Sequence, residues 1–147
     1  MFLGTTALTL DAKGRLAVPT KHRDALTAGG REVVLTANPD SCLTLYTADA
    51  WNPICAQMQS LTTFDERARW WNRLIVGHAE ELELDGQGRI LVSPTLRDFA
   101  SITKEVMFVG QGDHFEIWDV AAWKEKLAKA LPQVASSAPP GTDKFPS

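Results

Sequence analysis

A chain of 147 residues with 44% hydrophobic and 22% charged side chains can bury a real core, which excludes disorder throughout. No apolar run approaches the roughly 20 residues of a bilayer span, and the start, "MFLGTTALTLDAKGR", lacks a basic segment followed by an apolar one, so neither membrane association nor a processed leader is expected. The net charge of −3 argues, as an average, against a nucleic-acid partner.

The charge is unevenly spread. Residues 1–31 carry Lys13, Arg15, Lys21, Arg23 and Arg31 against Asp11 and Asp24, a net of +3, which leaves −6 on the rest. Positive field therefore gathers near the N-terminus.

In chain order, "TALTL" and "RLAVP" flank Asp11-Ala12-Lys13-Gly14, a three-residue hairpin loop in which Asp opens the turn and Gly takes the left-handed position. A local hairpin would set Asp11 opposite Arg15, Leu10 opposite Leu16 and Leu8 opposite Val18, with four apolar side chains on one face. A short, weakly capped helix is predicted over "PTKHRDAL", then strands over 31–36 and 42–46, then a helix capped by Thr47 with Trp51 turned back onto the sheet. "FDERARWWNRLIVGHA" reads as a further amphipathic helix.

The same plan then returns. "LDGQGRILVSP" at 84–94 repeats "LDAKGRLAVP", with Asp85, Gly88 and Arg89 in the places of Asp11, Gly14 and Arg15. Ser93 and Pro94 cap and open a short helix, strands are expected over 105–109 and 114–118, and Asp119 caps a helix in which Trp123 matches Trp51. The predicted class is α+β, a mainly β core with short helices. Its units are repeats at 1–60 and 80–131, a linking helix at 61–79 and a disordered tail at 132–147, rich in Pro, Ser and Ala.

Chemistry-bearing patterns are sparse. Cys42 and Cys55 have no CxxC or Cys/His spacing, so reduced thiols are expected rather than a zinc site or disulfide. His22, His78 and His114 are scattered and no nucleophile has a local activating signature; no metal, cofactor, small-molecule substrate or catalysis is expected. Gly14 and Gly88 are turn glycines, not a phosphate loop. The tryptophans, "RWW" at 69–71 included, suit core or subunit contacts better than base stacking.

The two "DxxGR" motifs with their trailing "LAVP" and "ILVSP", together with "RLIVGHA" and "KEVMFVGQGDHFEIWD", resemble the MraZ family of bacterial transcription regulators, in order from Met1 to about Leu131. The resemblance implies two AbrB-like swapped-hairpin modules in one pseudo-symmetric barrel (a double-split barrel) and ring-shaped homo-oligomers. It also implies double-stranded DNA as partner, at short G-rich direct repeats upstream of the cell-division and cell-wall gene cluster, and a cytoplasmic, nucleoid-associated location. The family's DNA-contacting Arg maps onto Arg15, with Lys13 beside it and Arg89 as the second-copy equivalent. Lys21 and Arg23, on the helix after the first motif, are candidates for phosphate contacts. Leu3 departs from the basic residue common there, and "PTKHR" from the usual Arg-Tyr-Arg ending.

Two alternatives stay open. Arg15 can pin its hairpin by pairing with Asp11, can contact DNA, or can do both, since a guanidinium has donors on more than one edge. At the level of the whole chain, the alternative is an antitoxin-like protein-interaction module of the same barrel superfamily.

Overall fold

Each DxxGR turn closes on itself and then sends its two strands to opposite partners. In the computed structural model, which describes residues 1–145, Asp11 N–H donates to the Arg15 carbonyl at 2.9 Å and Gly14 N–H to the Asp11 carbonyl at 3.0 Å, and the second turn repeats both bonds. The loop chemistry is as expected from the sequence. The pairing beyond it is not.

Strand β1 (Thr5–Thr9) and strand β2 (Arg15–Ala17) are followed by α1 (Thr20–Leu26), β3 (Glu32–Ala37), β4 (Leu43–Thr47), α2 (Ala48–Gln59) and α3 (Glu66–Ile75). The second half runs β5 (Glu80–Glu83), β6 (Arg89–Leu91), α4 (Pro94–Phe99), β7 (Glu105–Gly110), β8 (His114–Asp119) and α5 (Val120–Ser136). The expected opposition of Leu10 with Leu16 and Leu8 with Val18 is corrected: β1 pairs with β7, setting Leu8 against Val106, and β2 pairs with β6, setting Leu16 against Ile90. Two-residue alternation assigns a face to each strand but not a partner, so the second copy, carrying the same apolar pattern, competes with the local strand and wins. The face itself is as read, since Leu10, Leu16 and Val18 are buried and Leu8 packs against them.

The result is an α+β fold with two antiparallel sheets. One has six strands in the order β1-β7-β8-β4-β3-β5; the other is the two-stranded ribbon of β2 and β6. The main core joins them, with Leu16, Val18, Ile90 and Val92 from the ribbon side against Val33, Leu45, Phe108, Phe115 and Ile117 from the larger sheet. Burying each of these side chains stabilises by about 1.5–3 kcal/mol.

The helix starts follow the sequence. Thr47, Ser93 and Asp119 accept from Ala50, Leu96 and Ala122 backbone N–H groups, and α1 has no side-chain cap. Trp51 is buried with Val34 and Ile75 where α2 and α3 meet the sheet. Not every tryptophan joins a core, however: Trp70 is 58% and Trp71 47% exposed, and Arg73 lies over the Trp70 ring at 4.6 Å.

The segment 132–147, expected to be disordered, begins as helix. α5 continues through Pro132 to Ser136, because the helix-favouring Ala-, Lys- and Leu-rich run before it outweighs the lost Pro132 N–H bond and the crowding of its ring against the preceding turn. Residues 146 and 147 of that expectation lie outside the described residues.

Two outcomes follow from this packing. Gly88 has φ +73°, and a Cβ there would run into the Arg23 guanidinium, so Gly88→Ala is expected to destabilise by about 1–3 kcal/mol, read as a lower urea midpoint at unchanged slope. His22 sits against the Phe2 and Phe115 rings at 5.8 and 5.0 Å, and its burial, with Lys21 and the chain's amino terminus adding, pushes its pKa below the ordinary value. A depressed histidine binds its proton more readily when unfolded, so its stability contribution is present above about pH 6.5 and is lost as pH falls. His22→Phe is expected to flatten the urea midpoint between about pH 7.5 and about pH 5.5.

Candidate nucleic-acid interface

The β2–β6 ribbon gathers the two motifs into one place. Its register sets Arg15 opposite Leu91, Leu16 opposite Ile90 and Ala17 opposite Arg89. Alternation then puts Leu16 and Ile90, both fully buried, on the inner face, and Arg15, Ala17, Arg89 and Leu91 on the outer one. Two arginines from distant parts of the chain thus share one exposed ribbon face.

Each arginine is held by its own turn. Asp11 Oδ1 accepts the Lys13 and Arg15 backbone N–H groups at 2.9 and 2.8 Å, while Oδ2 accepts Arg15 Nε at 2.7 Å. Asp85 does the same, with Oδ1 at 2.9 Å from both the Gln87 and Arg89 N–H groups and Oδ2 at 2.8 Å from Arg89 Nε. The carboxylates sit below their ordinary pKa, chiefly because the Arg15 and Arg89 backbone N–H groups bond to them. Both stay ionised at neutral pH, so each turn carries a fixed negative charge that orients a guanidinium.

The copies differ in the charges around each arginine. Arg89 also brings Nη1 to 3.9 Å from Asp11 Oδ2, so it leans between two carboxylates. Among the described residues, the hydrogen bonds of the Arg15 side chain use Nε alone, toward Asp11, which leaves its Nη donors for another partner. The Lys13 side chain is exposed and makes no hydrogen bond or ion pair among the described residues.

The remaining candidates separate. Lys21 is exposed on α1. Arg23, half-buried, donates Nε to the Val18 carbonyl at 2.8 Å and covers Gly88 of the second turn. Sequence reasoning missed Arg97, its counterpart, which donates Nε to the Val92 carbonyl at 3.0 Å and covers Gly14 of the first turn. The signal was present: "RD" at 23–24 recurs at 97–98, so one role at Arg23 implies the matching role at Arg97.

Comparison with known proteins agrees with this duplication. The family model "MraZ protein, putative antitoxin-like" matches the chain twice, over residues 1–74 and 75–142. The transcriptional regulator MraZ of Methylobacillus flagellatus is 54% identical over 132 residues, 89% of either chain. Proteins of the same name from an Azoarcus species and from Nitrosomonas europaea are 46% and 43% identical over 145 and 146 residues, 99% of either chain in both cases. The chain therefore belongs to the MraZ family, transcriptional regulators rather than enzymes, and carries the family's domain in two tandem copies.

Proposed function

We propose that the chain is a sequence-specific DNA-binding regulator. In this reading, repeats at 1–60 and 80–131, joined by 61–79, close into a swapped-hairpin barrel, and several chains form a ring. The ring binds short direct repeats upstream of the cell-division and cell-wall gene cluster that includes the protein's own gene, in the cytoplasm on the nucleoid. One observation carries the proposal: an antiparallel two-stranded ribbon with Arg15 and Arg89 on its outer face and Lys13 in the adjoining turn.

A two-stranded ribbon fits the major groove of B-DNA, and an arginine with free Nη donors is the side chain best suited to a guanine edge or a phosphate. Arg15 is the principal contact, Lys13 its neighbour, and Arg89 the weaker partner because two carboxylates compete for it. Lys21 and Arg23 add positive field; contacts of that kind position a protein without reading sequence. One ribbon offers few phosphate contacts, so tight binding requires several ribbons along one DNA, which a ring on repeated sites provides. Apolar surface for assembly is available at Trp70 and Trp71 on α3 and at Leu127, Leu131 and Val134 on α5.

The α5 surface also favours a second reading, an antitoxin-like module whose C-terminal helix docks on a protein partner. Mobility shifts with the DNA upstream of the protein's own operon, run across salt concentrations, separate the two. Wild type is expected to bind with a steep salt slope. Arg15→Ala is expected to lose at least about tenfold in affinity, with a shallower slope and unchanged mass by light scattering. Equal binding by wild type and variant contradicts the role given to Arg15, and loss of assembly in the variant assigns Arg15 to hairpin stability instead.

A further inference from the structure

The glycine of each turn is buried although it lies at the tip of a loop. Its cover comes from the other copy. Gly14 has φ +82°, and a Cβ on it would stand 3.0 Å from Arg97 Cζ and 3.2 Å from Arg97 Nε and Nη2, so the guanidinium lies directly over the glycine. From the strand side, Val92 N–H donates to the Gly14 carbonyl at 2.9 Å, while the Val92 carbonyl accepts Arg97 Nε at 3.0 Å. Strand end, arginine and turn thus form one closed set of contacts. Arg23, Val18 and Gly88 repeat it with the copies exchanged, Val18 N–H reaching the Gly88 carbonyl at 2.9 Å.

We propose that Arg97, from the second copy, is a positioning residue for the DNA contacts of the first turn, acting through Gly14 on Lys13 and Arg15. The inference rests on the DNA-binding reading above. Gly14 separates the two cations in sequence, and glycine is the residue with the widest backbone freedom. Left uncovered, it would let Lys13 and Arg15 sample many orientations, and ordering them on binding would weaken affinity. The planar guanidinium stops this by covering the side of Gly14 where a Cβ would stand, while its Nε stays on the Val92 carbonyl. A lysine ammonium is compact and tetrahedral, so it can reach the carbonyl but cannot also cover the glycine. The role therefore depends on the shape of the group at position 97 as well as its charge.

The test is Arg97→Lys in the full chain, alone and combined with Arg15→Ala. Three readouts are taken: thermal melting, amide hydrogen exchange by peptide mass, and affinity for the upstream DNA. The expected variant melts as a folded protein and exchanges faster over residues 12–16 but not over 86–90. It loses at least about tenfold in DNA affinity and clearly less when Arg15 is already alanine, because the larger part of the effect passes through that side chain. An equal loss in both backgrounds overturns the proposal and makes Arg97 an independent phosphate contact; unchanged affinity of the single variant also overturns it. Should Arg97→Lys fail to fold, Arg97→Met, which keeps an unbranched stem but has neither a planar group nor a donor, takes its place, and the same outcomes decide. If wild type itself does not bind the DNA, the functional reading fails, while unchanged exchange over residues 12–16 separately refutes the hold of Arg97 on the turn.

Discussion

The structure depends on the pairing of β2 with β6, extended at either end by the bonds from Val18 N–H to the Gly88 carbonyl and from Val92 N–H to the Gly14 carbonyl. Among the described residues, this short ribbon is the only sheet contact that joins one motif to the other. It turns two loops that lie far apart in the chain into neighbours, and its inner residues Leu16, Val18, Ile90 and Val92, each 1% exposed or less, bind it to the core. The half-buried arginines of the outer face inherit their placement from those buried neighbours. Local pairing of each hairpin would have satisfied the same backbone groups while leaving the two arginines in separate places.

The pairing also reconciles an acidic chain with a candidate anion-facing surface. Negative charge collects on the sheet edge at β5, where Glu83 stands opposite Glu32 on β3 and Glu81 lies one step along the same face. The crowding is severe enough that a hydrogen bond with Glu81, and then the charges of Glu81 and Glu83, push the Glu32 carboxyl above its ordinary pKa. The ribbon gathers Arg15 and Arg89, with Lys13 in the first turn and Arg23 and Arg97 over the two glycines. What a phosphate meets is this local field, not the net charge of −3.

Much of this was legible in the residues because it is local. Asp and Gly at fixed spacing define the turns, Thr47, Ser93 and Asp119 define helix starts, and period-two burial defines the strands. The partner of each strand was not legible, since both copies present the same apolar face and periodicity carries no address. Arg97 escaped notice for the same reason: its partner, Gly14, lies far away in sequence, and an arginine on a short helix looks like a solvated one until the crossing is seen. For the tryptophans, periodicity left core and subunit contact open, and the single chain separates them: Trp51 is buried, while Trp70 and Trp71 are exposed.

The most direct measurement is native-state hydrogen exchange of the Val18 and Val92 amides as denaturant is raised. Interlocked copies have no way to open one at a time, so both amides are expected to exchange with one common free energy, equal to that of global unfolding. Exchange of either amide through a separate, lower-energy opening of its own repeat would contradict the claim that the two motifs form a single unit.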